Sequence, residues 1–163
     1  MKYISSRESS DWLRLRGIIE SPYSVKPSKI PYKQYRVPKT SSSIELLLKR
    51  LLDSKAALLI FTDWVFPHPD NLQFYKPHQV AFIRVMENIA SQNPDFSKGL
   101  AFFYEPTEHA GLVSDINASL ELYWSVYFYP ETASATLYFW EGELIDVWSA
   151  SKSILKEIGR LLS

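Results

Sequence analysis

The chain contains no cysteine, which excludes disulfide bridges and thiolate metal ligands. Its five glycines are scattered, so it has no glycine-rich phosphate-binding loop. The longest uninterrupted apolar run, residues 56–61, is far shorter than the roughly 20 residues that span a bilayer. The first residues also lack the apolar stretch of a signal peptide. Together these absences predict a soluble, cytoplasmic protein.

Length and composition predict one globular domain, residues 1–163. A chain of 163 residues fits a single domain and buries enough surface for a real core. Aromatic residues make up 15% of the chain, with 10 Tyr and 5 Trp among them. Because large rings occur both in cores and in binding surfaces, this enrichment favours either role.

Net charge is zero, but basic and acidic residues are unevenly distributed along the chain. Residues 1–55 carry 12 Lys and Arg against 5 Asp and Glu, a balance of +7. Residues 56–163 carry 6 against 13, a balance of −7. This distribution is typical of two halves that pack together and neutralise each other's charge, or of one half that binds a charged partner. We favour the first interpretation.

The first third of the chain has one clear helix and a long segment without regular structure. Alternation in residues 12–19 predicts a short strand. Residues 21–43 contain four prolines, which predicts a proline-rich basic arm or loop. Ser42 and Glu45 then match the S-x-x-E capping box of a helix. That helix carries one apolar stripe, formed by Ile44, Leu47, Leu48, Leu51 and Leu52.

Two apolar strands with a helix between them form the middle of the chain. Residues 56–61 and 99–105 are apolar enough for buried strands, and residues 62–76 are interpreted as a loop. Pro77 suits the first turn of a helix, because its missing N–H needs no partner there. The order strand, helix, strand predicts a βαβ unit with parallel strands. Residues 107–118 favour a short helix.

The C-terminal third has the strongest strand pattern, with three strands separated by turns at residues 130–134 and 141–143. In the first strand, Leu120, Leu122, Trp124, Val126 and Phe128 alternate with polar residues or tyrosine. The pattern predicts a three-stranded antiparallel meander followed by a helix over residues 151–162. The predicted fold class is α/β or α+β, a single domain whose mixed sheet has helices packed on it.

Two of the three histidines lie between the middle strand and its helix. Asp63, His68, Asp70 and His78 are residue types that bind metals or act as acids and bases. Their spacing matches no defined motif such as H-E-x-x-H. We therefore interpret this segment as a proline-stiffened loop. A metal-assisted or acid/base hydrolase centred on these four residues is the first alternative.

The arm supplies a second alternative. Basic residues interleave there with tyrosines; they are Lys26, Lys29, Lys33, Arg36 and Lys39. Bases stack on aromatic rings and phosphates attract cations, so residues 21–43 could bind a single-stranded nucleic acid. A neutral chain without a known nucleic-acid module argues against this, and no nucleic-acid partner is expected.

The meander supplies the leading hypothesis. If the even-numbered residues of its first strand face the core, tyrosines project from the opposite face. Aromatic rings rimmed by acids are typical of protein interfaces, because Tyr and Trp bury large areas. The predicted interface consists of Glu121, Tyr123, Tyr127, Tyr129, Glu131, Tyr138, Trp140, Glu141, Glu143 and Asp146. The competing interpretation is that a helix covers this face and the tyrosines are core residues.

These features favour a non-enzymatic protein-binding module without a cofactor, a catalytic residue or a membrane partner. Surface acids would steer a partner with a basic surface. A small bacterial immunity or antitoxin-type protein that neutralises a basic toxin domain would have these properties. The sequence does not indicate the identity of the partner or the oligomeric state.

Overall fold

Helices and strands alternate along most of the chain. A computed structural model describes residues 1–24, 30–93 and 99–162. Its α-helices are α1 (Ser6–Leu15), α2 (Ser41–Leu52), α3 (Pro77–Gln92), α4 (His109–Glu121) and α5 (Lys152–Leu161). Its strands are β1 (Lys2–Ile4), β2 (Tyr32–Arg36), β3 (Ala57–Asp63), β4 (Leu100–Tyr104), β5 (Ser125–Pro130), β6 (Thr136–Trp140) and β7 (Leu144–Trp148).

The strands form one antiparallel sheet, which with its packed helices confirms the α+β option of the predicted class. Their order across the sheet is β1-β4-β3-β5-β6-β7-β2. The C-terminal meander is confirmed as β5, β6 and β7, although β5 begins only at Ser125. Leu120 belongs instead to α4. It was assigned to the strand because apolar residues that alternate near a helix end resemble the start of a strand.

Helices α2, α3, α4 and α5 contribute to the core on one face of the sheet. The stripe predicted for α2 is confirmed, since each of its five members is at most 4% exposed. In α3, Phe82, Ile83 and Met86 are buried, whereas Val85 is exposed. Inward residues of the meander, such as Leu137 and Val147, complete this core.

The opposite face of the sheet has a smaller core. Leu13 of α1 packs there with Leu58, Tyr127, Tyr129 and Trp148. Ile18, on the segment that follows α1, is partly buried against the same cluster. The sheet is therefore covered on both sides over part of its area, which explains why all of β5 is buried.

The parallel βαβ unit is wrong, because β3 and β4 pair antiparallel. The chain leaves β3 at Asp63 and re-enters the sheet at Leu100, which pairs with Phe61 at the same end of β3. A right-handed parallel crossover requires the connection to reach the opposite end of the sheet. Residues 64–76 are long enough to offset the rise of α3, about 24 Å, so the connection returns to the end it left.

The strand predicted over residues 12–19 is also wrong, because most of it belongs to α1 or to the turn after it. A capping box starts this helix: Ser5 Oγ accepts from the Glu8 N–H, and the Glu8 carboxylate accepts from the Ser5 N–H. Leu13 is buried and Leu15 is 80% exposed, so the alternation of leucine and arginine does not define a strand face.

The capping box predicted at Ser42 is wrong as well. Helix α2 begins at Ser41 after Thr40, so Ser42 lies within its first turn. Its hydroxyl donates to Thr40 Oγ1 at 3.2 Å instead of capping a backbone N–H.

The arm over residues 21–43 is only partly irregular. It contains a 3-10 turn at Pro22–Ser24, the strand β2, and the start of α2. Strand β2 was not predicted because prolines flank it and its polar side chains give no core pattern. Lys26 and Lys29 lie outside the described residues, so the structure gives no account of that part of the arm.

Candidate functional site

Three turns meet at one end of the sheet, where β3 ends, β5 begins and β6 connects to β7. Asp63 pairs with Ser125 between β3 and β5. Ser125 Oγ accepts a hydrogen bond from the Glu141 N–H at 3.4 Å. A Cβ on Gly142 would overlap the carbonyl oxygen of Leu120 at the end of α4. We call this area the turn surface and define it as Asp63, Glu121, Tyr123, Trp140, Glu141 and Glu143.

Tyr123 occupies a backbone position that favours glycine. Helix α4 ends in a Schellman motif, in which the Trp124 N–H donates to the Ser119 carbonyl at 2.9 Å. The Tyr123 N–H donates to the Leu120 carbonyl at 3.2 Å, and Tyr123 itself has a φ of 57°. A side chain in this left-handed region costs about 1–2 kcal/mol. Since the Tyr123 side chain is 68% exposed, packing offsets little of that cost.

The turn between β6 and β7 holds its acids outward. Glu141 and Gly142 both have positive φ, 45° and 70°, as a type I′ hairpin turn requires. The Glu143 N–H closes the turn by donating to the Trp140 carbonyl at 2.8 Å. Gly142 can approach α4 because it has no Cβ. The turn therefore lies against Tyr123, while both glutamates remain exposed.

Most acids of the turn surface have no countercharge in the part of the chain that the structure describes. Asp63, Glu141 and Glu143 are exposed, and no ion pair to them forms among the described residues. Trp140, 42% exposed, lies next to two of them. The turn surface thus combines exposed aromatic rings with negative charge.

Glu121 differs from the other acids because Lys76 and His78 both contact its carboxylate. Its Oε2 lies 3.2 Å from Lys76 Nζ and 3.0 Å from His78 Nε2. Burial opposes ionisation, but these hydrogen bonds outweigh it and hold the pKa of Glu121 below its ordinary value. Glu121 is therefore ionised at neutral pH, and it fixes the start of α3 against the end of α4.

Tyr127 and Tyr129 do not lie on an open surface. Tyr129 is fully buried, and its hydroxyl donates to the Glu20 carbonyl. Tyr127 is nearly buried and stacks on Tyr138, with ring centroids 4.2 Å apart. Helix α1 and the segment after it cover these rings, so Tyr127 and Tyr129 are core residues and not part of an open interface. They are therefore left out of the turn surface.

Tyr138 lies at the border between the covered face and the turn surface. Its hydroxyl is 2.9 Å from Thr62 Oγ1, and its ring packs edge-on against Trp140 with centroids 5.7 Å apart. Tyr23 contacts Tyr138, Trp140 and Trp148 from the covering segment. Trp140 therefore has one side supported by other rings and the other side open.

Glu131 lies at the opposite end of β5 from the turn surface. Its Oε1 pairs with Arg16 Nη2 at 2.5 Å, and its Oε2 accepts from the Ala56 N–H at 3.2 Å. The Arg16 guanidinium holds the pKa of this carboxyl below its usual range. Both functions are structural, because they fasten α1 and β3 to the end of the sheet.

Asp146 is completely buried within the sheet. Its Oδ1 accepts from the Tyr32 hydroxyl at 2.7 Å and from Gln34 Nε2 at 2.9 Å. Its Oδ2 has no hydrogen-bond partner among the described residues. Burial raises the pKa of Asp146 to about 6. Asp146 therefore holds β2 against β7 and does not reach the surface.

The histidine-containing segment is a loop with a 3-10 turn at Pro69–Phe74. His68 caps that turn, since its Nδ1 accepts from the Asp70 N–H at 3.4 Å. His78 is directed to Glu121. Among residues 1–24, 30–93 and 99–162, no three His, Asp or Glu side chains are placed to hold a metal ion. His68 Nδ1 lies 3.4 Å from Asp70 Oδ2, but Asp63 and His78 do not join this pair in a metal-holding group.

Residues 32–36 of the arm belong to the sheet as β2. Lys33 and Arg36 are exposed on β2. Tyr35 points to the helical side, where its hydroxyl donates to the Leu155 carbonyl at 3.2 Å. Its ring contacts α5 and is not free to stack on a base. Nucleic-acid binding through residues 21–43 stays an untested alternative.

The two halves of the chain partly neutralise each other. Ion pairs join the N-terminal amine to Glu108, Arg16 to Glu131, and Arg50 to Glu157. In the last pair, Arg50 Nε lies 2.5 Å from Glu157 Oε1. Each pair joins a cation from residues 1–55 to an acid from residues 56–163. The halves therefore pack together as expected, although the turn surface and β2 keep exposed charge.

Val65 and Asp63 were not part of the predicted interface. Val65 is 74% exposed and lies two residues beyond Asp63, at the end of β3. Their signal in the sequence is the transition from an apolar strand to "TDWV", where two polar residues are followed by two apolar ones. That signal is too short to distinguish an exposed valine from a core residue.

No family model, curated protein or solved structure matches the chain. Within the described ranges, each helix is too short or too polar to cross a membrane.

Proposed function

We propose that the chain is a non-enzymatic protein-binding module whose turn surface contacts a partner with a basic surface. The observation that supports this most strongly is Tyr123, an exposed aromatic residue at a position where glycine would be less strained. Residues in disfavoured backbone regions cluster at functional sites, because the structure around them must compensate for the strain. Contact with another molecule explains a ring that contributes little to the fold.

Trp140 extends the proposed contact area. It is half-exposed beside Tyr138, and Tyr and Trp are the residues that most often dominate binding energy at interfaces. A ring held by neighbouring rings loses little conformational freedom on binding, which lowers the entropic cost of association. Tyr123 and Trp140 would therefore form the apolar centre of the contact.

The acids determine the chemistry of the partner. Asp63, Glu141 and Glu143 are exposed around the two rings without ion pairs in the described structure. A negative rim attracts a positively charged surface and raises the rate of association at low salt. Inhibition of a basic toxin domain by a small bacterial immunity-type protein is a narrower form of this hypothesis. A cytoplasmic location stays a prediction of the cysteine-free composition.

Affinity capture with matched variants tests the proposal. The chain would be immobilised as wild type, as Tyr123→Gly, and as the double variant Glu141→Lys and Glu143→Lys. Leu15→Ala is the matched control, because Leu15 is exposed but next to Arg16 at the opposite end of β5. A basic protein should be retained by the wild type and the control.

Both turn-surface variants should lose at least about tenfold of that binding, as expected when residues at an interface centre are replaced. A set of captured proteins that is the same for all four baits contradicts the proposal, as does equal affinity of the purified partner for the wild type and Tyr123→Gly.

A further inference from the structure

Strand β2 is an edge strand with a free side. It is the last strand in the sheet and pairs with β7 alone among the described strands. Tyr32 is 45% exposed, and Lys33, Gln34 and Arg36 are also exposed. An edge of this kind presents backbone N–H and C=O groups that can pair with a further strand.

The register between β2 and β7 determines which backbone N–H and C=O groups of β2 are free to pair with a further strand. The Ser149 N–H donates to the Pro31 carbonyl at 3.1 Å, and the Val37 N–H donates to the Glu143 carbonyl at 2.8 Å. In an antiparallel ladder the residues that bond to one neighbour alternate with residues directed away from it. The odd-numbered residues of β2 therefore bond to β7, and Tyr32, Gln34 and Arg36 direct their N–H and C=O groups outward.

Side-chain hydrogen bonds anchor the strand on both faces of the sheet. On one face, Tyr32 and Gln34 donate to buried Asp146. On the other, the Tyr35 hydroxyl donates to the Leu155 carbonyl. A strand that is already extended loses little entropy when a further strand pairs with it.

The charge of β2 indicates the chemistry of its partner. Lys33 and Arg36 form no ion pair with the described residues, and no acid occurs from residue 32 to residue 39. A second copy of β2 would bring four such cations into one short ladder without an acid, which like-charge repulsion disfavours. A strand that carries carboxylates would place them opposite these cations.

We infer that the free edge of β2 binds an extended acidic segment of a protein partner, which adds to the sheet as an eighth strand. One end of this site adjoins the turn surface, because the Val37 N–H donates to the Glu143 carbonyl, but the exposed charges of β2 have the opposite sign. Backbone pairing at Tyr32, Gln34 and Arg36 supplies affinity, and Lys33 and Arg36 select acidic side chains.

Lys33 and Arg36 project from opposite faces of β2, so a labelled peptide of repeated Glu-Glu-Thr-Thr, with glutamates on both faces, is a suitable probe. A peptide of repeated Lys-Lys-Thr-Thr is its control. Fluorescence anisotropy should show binding of the acidic peptide that weakens with added salt, and no binding of the basic one. In amide-resolved NMR spectra of the full chain, Tyr32, Gln34 and Arg36 should shift more than Lys33 and Tyr35, because only the outward N–H groups gain a partner.

Two variants at one position separate backbone pairing from charge. Arg36→Pro removes an outward N–H while leaving the pairing to β7 in place, and it should weaken binding at least about tenfold. Arg36→Gln keeps the N–H and should weaken binding by a smaller factor. If Arg36→Pro does not fold, the NMR shift pattern of the wild type decides the question.

The inference fails if the acidic peptide does not bind at about 1 mM, a level where even weak strand pairing is detected. It also fails if both peptides bind equally, or if the inward and outward N–H groups shift alike. A dimer in sedimentation of the chain alone that Arg36→Gln strengthens would assign this edge to a second copy and overturn the inference.

Discussion

The Trp124 N–H donates to the Ser119 carbonyl, and this hydrogen bond closes the end of α4 with Tyr123, the residue just before Trp124, in the left-handed region. Helix ends of this type usually carry glycine at that position. The ring that replaces glycine is exposed and lies against the turn between β6 and β7, whose Glu141 and Glu143 form no ion pair in the described structure. Local backbone geometry thus links the end of α4 to the proposed binding surface.

Substitution of Tyr123 separates the backbone from the ring. Tyr123→Gly should be more stable than Tyr123→Ala by about 1 kcal/mol, because both lose the ring but only alanine keeps a Cβ in the left-handed region. Urea unfolding of the two variants measures this difference. Equal stabilities would show that position 123 is not strained and would contradict the proposal that strain marks it as a binding site.

Gly142 should tolerate no side chain. Gly142→Ala places a Cβ against the Leu120 carbonyl oxygen at a φ of 70°, so it should destabilise the fold by about 3 kcal/mol. Gly111→Ala is the control, since nothing lies within 4 Å of its added Cβ and it sits in α4. That variant should gain about 0.5 kcal/mol from helix propensity. Thermal unfolding that ranks the two variants in the opposite order contradicts the described packing.

Asp146 should make stability depend on pH. Its pKa of about 6 in the folded chain lies above the value of about 3.9 for an unfolded aspartate. The folded state therefore binds the proton more tightly, so the stabilisation is fully present below about pH 4 and is lost as the pH rises through about 6. This difference corresponds to about 2–3 kcal/mol.

Asp146→Asn provides the comparison, because its carbonyl oxygen can still accept from Tyr32 and Gln34. Relative to this variant, the wild type should gain about 2 kcal/mol in free energy of unfolding between about pH 7.5 and pH 4.5. The nearest ionisable group is Tyr32, which does not titrate in that range. A difference that is constant with pH would show that Asp146 is ionised throughout.

The ion pair between Arg16 and Glu131 should contribute to stability, unlike a solvent-exposed pair. A double-mutant cycle with Arg16→Gln and Glu131→Gln should give a coupling of about 1 kcal/mol, because both side chains are about one-quarter to one-third exposed. The exposed pair between Asp11 and Arg14 is the control and should show coupling close to zero. Equal coupling energies for the two pairs would contradict the claim that the pair between Arg16 and Glu131 stabilises the fold more than an exposed ion pair does.

The helical core could be predicted from the sequence because its pattern is strong. The stripe from Ile44 to Leu52 repeats with helical spacing, and such a pattern has one low-energy placement, with its apolar face buried. The meander was predictable for the same reason with a period of two. Strand β2 was not, since an edge strand buries little and its residues need no apolar pattern.

The antiparallel pairing of β3 and β4 could not be predicted because it depends on the path of the connection between Asp63 and Leu100, which residue patterns do not encode. The proposed site was only partly predictable. Tyr123 and Trp140 were identified from the alternation of the predicted meander, although Tyr123 lies between α4 and β5 and not in a strand. The burial of Tyr129 depends on where the segment after α1 packs. Tertiary contacts of this kind override the local pattern.

The most direct measurement is photo-crosslinking in the native host, with benzoylphenylalanine placed at position 123 or, as a control, at position 15. Both positions are exposed, and Leu15 lies at the end of the sheet away from Tyr123. The proposed function predicts one main crosslinked protein, with a basic surface, from position 123 and none of it from position 15. No crosslink at position 123, or the same products from both positions, would contradict it.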